Sequence, residues 1–172
     1  MDKKGLLIVI SGFSGVGKGT VVKRLVSDYG YSLSISATTR APREGEVDGR
    51  EYYFKSKEEF KNLIDYNGFI EWAVYVENYY GTPRAFVEKE LAAGHNVILE
   101  IEVQGAMNIK EQYPDAVLIF LTAPNAEELK QRLIGRGTEE ASVVEKRMKR
   151  AIEESEDMNQ YEYIIINDDL DQ

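Results

Sequence analysis

The chain contains no cysteine, which excludes disulfides and thiolate metal sites. Histidine occurs once: His95 follows Gly94 in a turn and reads as exposed, and no nucleophile motif accompanies it. Positive charge is in deficit. The net charge of −9 argues against a general binder of nucleic acid or acidic membranes, since either needs a positive field. Any work on anions must fall to local basic clusters. Long hydrophobic runs are lacking too: Met1-Asp2-Lys3-Lys4 leads into an apolar run too short for a signal-peptide core or a membrane span, so the cytoplasm is the expected location. There is no internal repeat and no low-complexity tract. The 172 residues fit one domain with a sizeable core.

What is present centres on Leu6 to Leu25. An apolar strand-like run, Leu6-Leu7-Ile8-Val9-Ile10, leads into Ser11-Gly12-Phe13-Ser14-Gly15-Val16-Gly17-Lys18-Gly19-Thr20, and apolar residues at helical spacing follow. That order is a strand feeding a phosphate-binding loop and a helix. Gly12, Gly15 and Gly17 let the backbone curl so that its N–H groups converge on phosphate oxygens. The helix starting near Lys18 contributes its positive end, and Lys18 places a compact charge near the outer phosphates. The usual pattern puts Ser or Thr directly after the lysine as a Mg²⁺ ligand. Here Gly19 stands there and Thr20 comes one residue later, so Thr20 is expected to donate to a phosphate and the metal to be held mostly by phosphates and water. Gly-Lys-Gly-Thr also occurs in nucleotide kinases of the adenylate kinase type.

Further apolar runs at Leu33 to Ile35, Val97 to Ile101, Ala116 to Leu121 and Tyr163 to Ile166 read as buried parallel strands separated by helices, which predicts an α/β architecture. Helix starts are expected at Ser56-x-x-Glu59, Asn125-x-x-Glu128 and Ser142-x-x-Glu145, where a cap oxygen and a carboxylate would satisfy orphan N–H groups. Thr82-Pro83 is expected to cap a helix ending at Gly94.

Composition shifts between Thr38 and Gly81, which is rich in Tyr, Glu and Arg. Arg40 and Arg43 flank Pro42, and two guanidiniums in a fixed loop can clamp a phosphate with paired hydrogen bonds. A solvated charged loop is the plainer alternative. Thr38-Thr39-Arg40-x-Pro42-Arg43-x-Gly45-Glu46, Phe69-Ile70-Glu71-Trp72, Asn78-Tyr79-Tyr80-Gly81, Gly135-Arg136-Gly137-Thr138 and Asn167-Asp168-Asp169 together resemble guanylate kinases, from about Leu6 to Asp169. Family members generally continue past the position of Gln172 into another helix, so one face of the sheet is expected to lose cover. Phe13 stands where relatives usually carry a smaller residue or proline.

The resemblance implies a three-layer P-loop kinase fold with a parallel sheet core, a small GMP-binding α+β insert and a helical lid. The expected divisions are core 1–37, 82–130 and 160–172, insert 38–81 and lid 131–159. The implied reaction is transfer of the ATP γ-phosphoryl group to GMP or dGMP, with Mg²⁺ as cofactor and neither nucleic acid nor membrane as partner. It assigns Gly12 through Thr20, Arg136 and Asn167 to ATP. It assigns Ser36, Arg40, Arg43, Glu46, Tyr52, Glu71, Tyr80, Thr82 and Glu102 to GMP, with Tyr52 and Tyr80 donating hydroxyls to its phosphate. Lys18, Arg132 and Arg147 become the catalytic cations, and Arg147 is the one residue of the polar helix after 138 expected to reach the site.

Glu71 lies between Ile70 and Trp72, so strict alternation would make it the outward residue of a half-buried strand. The functional alternative is base selection: guanine offers two donors to one carboxylate, whereas adenine presents a bare lone pair. By resemblance Ser36 and Thr82 assist it. Glu100 and Glu102, two apart at a strand end, should face the same way. The resemblance puts Glu100 on the metal side, through water, and Glu102 nearer GMP; pairing with a nearby Arg or Lys is the structural alternative. Two other identities stay open from the sequence: a monophosphate kinase for another base, and a guanylate-kinase-like scaffold module that binds peptides.

Overall fold

The computed structural model describes residues 4–75, 77–135 and 141–171. In chain order these form β1 (Leu7–Gly12), α1 (Lys18–Tyr29), β2 (Ser32–Ser34), β3 (Ala37–Thr38), β4 (Tyr53–Phe54) and α2 (Lys57–Asp65). Then follow β5 (Phe69–Tyr75), β6 (Asn78–Pro83), α3 (Arg84–Ala92), β7 (Val97–Glu100) and α4 (Val103–Gln112). The chain ends with β8 (Val117–Thr122), α5 (Ala126–Gly135), α6 (Ala141–Ser155), a 3₁₀ turn (Met158–Gln160) and β9 (Tyr163–Ile166).

The main sheet is parallel throughout and ordered β2-β7-β1-β8-β9. Leu7 to Ile10 of β1 and Val97 to Leu99 of β7 are buried, as expected of strands covered by helices on both faces. Each such side chain contributes roughly 1.5–3 kcal/mol by leaving water. The connection after β1 runs to β2 at one edge of the sheet, whereas those after β7 and β8 run towards β9 at the other, and such a reversal opens a crevice at the carboxyl ends of these strands. Gly12, Glu100 and Thr122 lie at that edge.

β9 differs from its reading as a buried strand. Among the described residues it pairs with β8 alone, at the sheet edge, and Tyr163, Ile164, Ile165 and Ile166 are all exposed. An apolar run fixes strand character but does not say how many neighbours the strand has.

A second sheet, β4-β3-β6-β5, uses residues from Ala37 to Pro83, and its small core joins Ala37, Phe60 and Phe69. The Phe60 and Phe69 rings stack with centroids 4.4 Å apart.

Two of the four expected helix caps form. Ser56 and Glu59 make both halves of a capping box. Asn125 accepts from the Glu128 N–H at 2.8 Å, but the Glu128 carboxylate turns to Arg132 instead of back to the cap. Thr82 does not cap α3: β6 runs through Pro83, and the Thr82 hydroxyl is engaged by Glu71. Ser142 is the second residue of α6 and therefore lies inside the helix it was expected to cap.

Candidate active site

The loop after β1 is shaped by glycines at positive φ: a Cβ on Gly12 would strike the Leu121 carbonyl oxygen at 2.2 Å. Gly17 has φ 95° and forms the N-cap of α1; a Cβ there would sit 2.8 Å from Asn167 Nδ2. A Cβ on Gly15, at φ 86°, would strike Leu133 Cδ2 at 2.7 Å. The loop is thus wedged between α5 and the end of β9. Gly19 differs, since its Cβ position is open space, so packing does not require glycine there. Lys18 folds back over the loop and donates from Nζ to the carbonyls of Gly12 (2.7 Å) and Phe13 (3.1 Å). Those contacts hold the ammonium at the loop mouth, beside the first turn of α1, where the positive end of the helix dipole favours anions.

The structure also accounts for Phe13. Its ring is buried and meets Phe120 edge-on at 5.0 Å, and Phe120 in turn meets Tyr161 at 5.1 Å. The side chain anchors the loop in the core, and only its backbone faces the Lys18 ammonium.

On the opposite side, Glu46 organises the basic loop. One carboxylate oxygen accepts from Arg40 at 2.9 Å and the other from the Arg43 N–H at 2.7 Å. The Arg40 pair raises the guanidinium's pKa and lowers that of Glu46, in both cases chiefly through their hydrogen bond. Arg40 also lies over the Tyr52 ring at 5.3 Å, and the Tyr52 and Tyr80 rings are 6.0 Å apart. Burial pushes the Tyr52 hydroxyl up to about 12, so it remains a donor. Arg43 is exposed, and Ser36 is half-buried, with its carbonyl accepting from Tyr53 at 2.9 Å.

Glu71 overturns the alternation rule. Phe69 pairs with Pro83 and Glu71 with Thr82, so one extra residue, Ile70, is inserted in β5 as a bulge. Phe69, Ile70 and Glu71 are consequently all buried, while Trp72 is exposed. Bulges re-aim side chains, and this one turns a carboxylate inward. Thr82 Oγ1 donates to Glu71 Oε1 at 2.6 Å. Burial nevertheless dominates and raises the carboxyl to about 7, with the Thr82 hydrogen bonds acting against it.

Glu100 and Glu102 do not share a strand face as expected. β7 ends at Glu100, and Glu102 is the N-cap of α4. The intervening Ile101 carbonyl accepts from Ser11 Oγ at 2.8 Å, which turns the chain from strand into helix. Burial raises the Glu100 carboxyl, and Lys18 pulls it back. Glu102 is raised to about 7 by burial first and then by Glu154, against Arg150 and Lys18, with Glu71 adding to the rise.

The remaining cations converge from α5 and α6. Arg132 donates to Glu128 at 2.9 Å and to the Asn167 carbonyl at 2.8 Å. Asn167 Nδ2 donates to the Val16 carbonyl at 2.7 Å, tying the end of β9 to the loop. Arg147 reaches Ser14 Oγ at 2.7 Å. Arg136 lies outside the described residues. Arg147 is not alone in approaching: Arg150 sits 5.0 Å from the Tyr75 ring centroid and acts on Glu102. Tyr52 lies close enough to Glu100, and Glu102 to Glu71, Lys18 and Arg150, for their charges to act on one another, which links the insert to the phosphate-loop end of the sheet.

The chain has known relatives. A sequence model of the guanylate kinase family matches residues 4–172. The guanylate kinase of Lactiplantibacillus plantarum is 54% identical over 172 residues, covering 99% of this chain and 84% of the relative's length. The chain belongs to the guanylate kinase family. The guanylate kinase of Caldanaerobacter subterraneus subsp. tengcongensis is 53% identical with the same coverage. The crystal structure of guanylate kinase from Anaplasma phagocytophilum superimposes with a TM-score of 0.82 at 34% identity, covering 98% of this chain and 80% of that one. A gluconokinase from Sinorhizobium meliloti 1021, 15% identical with a TM-score of 0.52, shares the fold alone. This member of the guanylate kinase family therefore has the three-layer P-loop kinase architecture.

Sequence reasoning missed three contributors: the bulge residue Ile70, Arg150 with its aromatic partner Tyr75, and Gly105, which lies against Glu71. Only the last carried a signal, since glycine in a helix is locally unfavourable and needs a reason.

Proposed function

We propose that this protein transfers the γ-phosphoryl group of ATP to the phosphate of GMP or dGMP, giving ADP and GDP or dGDP. The observation that carries the reading is the buried Glu71 carboxylate, turned inward by a bulge and braced by Thr82. A protein with only a scaffolding role would have no use for the intact lysine and loop glycines.

An acceptor phosphate oxygen attacks the γ-phosphorus while the bond to the ADP oxygen breaks, and the electron pair leaves with ADP. The second pKa of a phosphate monoester is near 6, so the acceptor is largely ionised and needs no general base. Catalysis therefore rests on positioning and charge. Lys18, Arg132 and Arg147 surround the migrating group, while Gly12 to Thr20 contribute loop amides around the triphosphate and Asn167 borders the adenine side. Arg40, Arg43, Tyr52 and Tyr80 hold the acceptor phosphate, with Glu46 fixing the Arg40 guanidinium and the Arg43 backbone. Glu71 accepts from guanine N1–H and N2–H₂, with Ser36, Thr82 and Glu102 lining the same side.

Bound Mg²⁺ would neutralise charge on the β- and γ-oxygens. Glu100, at the end of β7 and electrostatically coupled to Lys18, is the carboxylate suited to hold it through water. Among the described residues no cluster of three or more His, Cys, Asp or Glu side chains is placed to hold a metal ion. Among the described residues no helix is long and apolar enough to cross a membrane. ATP and GMP are cytoplasmic metabolites, so we assign the activity to that compartment.

The test is ADP release with ATP and Mg²⁺ across GMP, dGMP, AMP and dTMP. GMP and dGMP should support turnover, and a preference for AMP or dTMP would refute the reading. Water must be excluded during transfer, so insert 38–81 and lid 131–159 should close on the core formed by 1–37, 82–130 and 160–172. Small-angle scattering should show a smaller radius of gyration with GMP plus a non-hydrolysable ATP analogue than with neither.

Saturation by GMP should also depend on pH. Glu71 is protonated below about 7 in the free protein and then accepts poorly from guanine. The KM for GMP should rise by up to about tenfold per unit as pH falls below 7. Glu102 and the GMP phosphate titrate nearby, so the Glu71 component is the part of the profile missing from Glu71→Gln.

A further inference from the structure

We propose that Gly105 is a specificity-positioning residue: by carrying no side chain it keeps open the space beside Glu71 Oε2 that guanine recognition uses. This rests on the reading of Glu71 as the guanine acceptor. Gly105 is the third residue of α4 and is buried. Glycine is the least favoured ordinary residue in a helix apart from proline, and Gly105 is not among the positive-φ glycines, so its backbone gives no reason for it. The reason lies across the helix–strand contact. A Cβ at this position would sit 2.7 Å from Glu71 Oε2, 3.2 Å from Glu71 Cδ and 3.3 Å from Ile101 Cδ1.

Neither backbone can retreat to make room. At the far end of α4, Gln112 Nε2 donates to the Ile70 carbonyl at 2.7 Å, tying the helix to the bulge beside Glu71. Ala106 and Ile109 are buried in the main core. Just before the helix, Ser11 holds the Ile101 carbonyl. Across the contact, the register of β5 on β6 and the Thr82 hydroxyl at 2.6 Å fix the root and one oxygen of Glu71. The part able to yield is the carboxylate plane, which rotates or withdraws under a methyl group. The damage would therefore fall on base recognition rather than on the fold.

The experiment compares Gly105→Ala, Glu71→Gln, Glu71→Asp and the Gly105→Ala/Glu71→Asp double variant. Gly105→Ala should raise the KM for GMP at least tenfold. The KM for ATP should stay within about twofold and kcat within about threefold, as expected when binding is lost remote from the reacting atoms. The thermal melt should stay cooperative. In the double variant the shorter carboxylate clears the methyl, so its KM for GMP should fall well below the product of the two single effects. A KM for GMP within twofold of the parent in Gly105→Ala overturns the proposal. So does loss of the cooperative melt, because the pressure would then have fallen on the fold. If Glu71→Gln raises the KM for GMP while Gly105→Ala does not, only the Gly105 inference fails. If Glu71→Gln leaves it unchanged, the guanine reading fails and takes the inference with it.

Discussion

Replacing Glu71 by glutamine should lower kcat/KM for GMP by about a hundredfold or more, with the KM for ATP within about twofold of the parent. Glutamine keeps the size of the side chain and one acceptor oxygen, but it turns an NH₂ toward a guanine edge that is itself made of donors. Thr82 already donates to Glu71 Oε1, so the amide cannot orient to satisfy both neighbours. The site is buried, so water cannot repair the mismatch. The same variant should be more stable than the parent without nucleotide. The Glu71 carboxyl sits at about 7 when folded against 4.5 as a free side chain, so between those values the folded state holds a proton that the unfolded state has released. Folding stability from this group therefore declines as pH rises from 4.5 to 7, and the full cost is present above 7. At about 1.4 kcal/mol per unit, Glu71→Gln should gain up to roughly 3 kcal/mol at pH 8 and nothing near pH 4.5. Denaturant melts at the two pH values, paired with initial rates over a GMP titration, read both effects. A variant that keeps GMP saturation, or that loses stability at pH 8, contradicts the role given to this carboxylate.

Replacing Lys18 by alanine should reduce kcat by about a thousandfold while the KM for GMP changes little. One preorganised charge aimed at the migrating group is worth on the order of 10²–10³ in rate, and several cations share the task here. The loop should keep its shape. Its curvature is set by the glycines packed against Leu133 and Asn167, and Phe13 anchors it in the core, so the loop does not depend on the Lys18 ammonium alone. The melting temperature should therefore move little, which separates lost catalysis from lost folding. Lys18→Arg should not rescue, because the planar guanidinium cannot replace a compact ammonium against two carbonyls in a closed loop. Retention of more than a tenth of the parental turnover in Lys18→Ala would shift the burden to Arg132 and Arg147.

The phosphate loop was legible in the order of residues because strand, glycine spacing, lysine and helix are contiguous, and each local preference agrees with the next. The Ser56 cap was legible for the same reason. Thr82 was misread for an instructive one: its sequence neighbour Pro83 suggests a helix start, but its spatial neighbour Glu71 takes the hydroxyl. Glu102 looked like a strand residue because apolar character runs through Ile101, and only the Ser11 contact with that carbonyl ends the strand earlier. Phe13 had no rationale until Phe120, more than a hundred residues later, was seen beneath it.

By itself the sequence determined the parallel α/β core, the phosphate loop and the set of charged groups available for two anionic substrates, because these depend on periodicity and on contacts between near neighbours. The tertiary structure alone decided that Glu71 turns inward, that Gly105 stands against it and that Arg150 joins Arg147 at the crevice. A one-residue bulge reverses the direction of a side chain, and the approach of a helix to a strand is set by packing across the whole domain. Neither leaves a periodic mark on the residues involved.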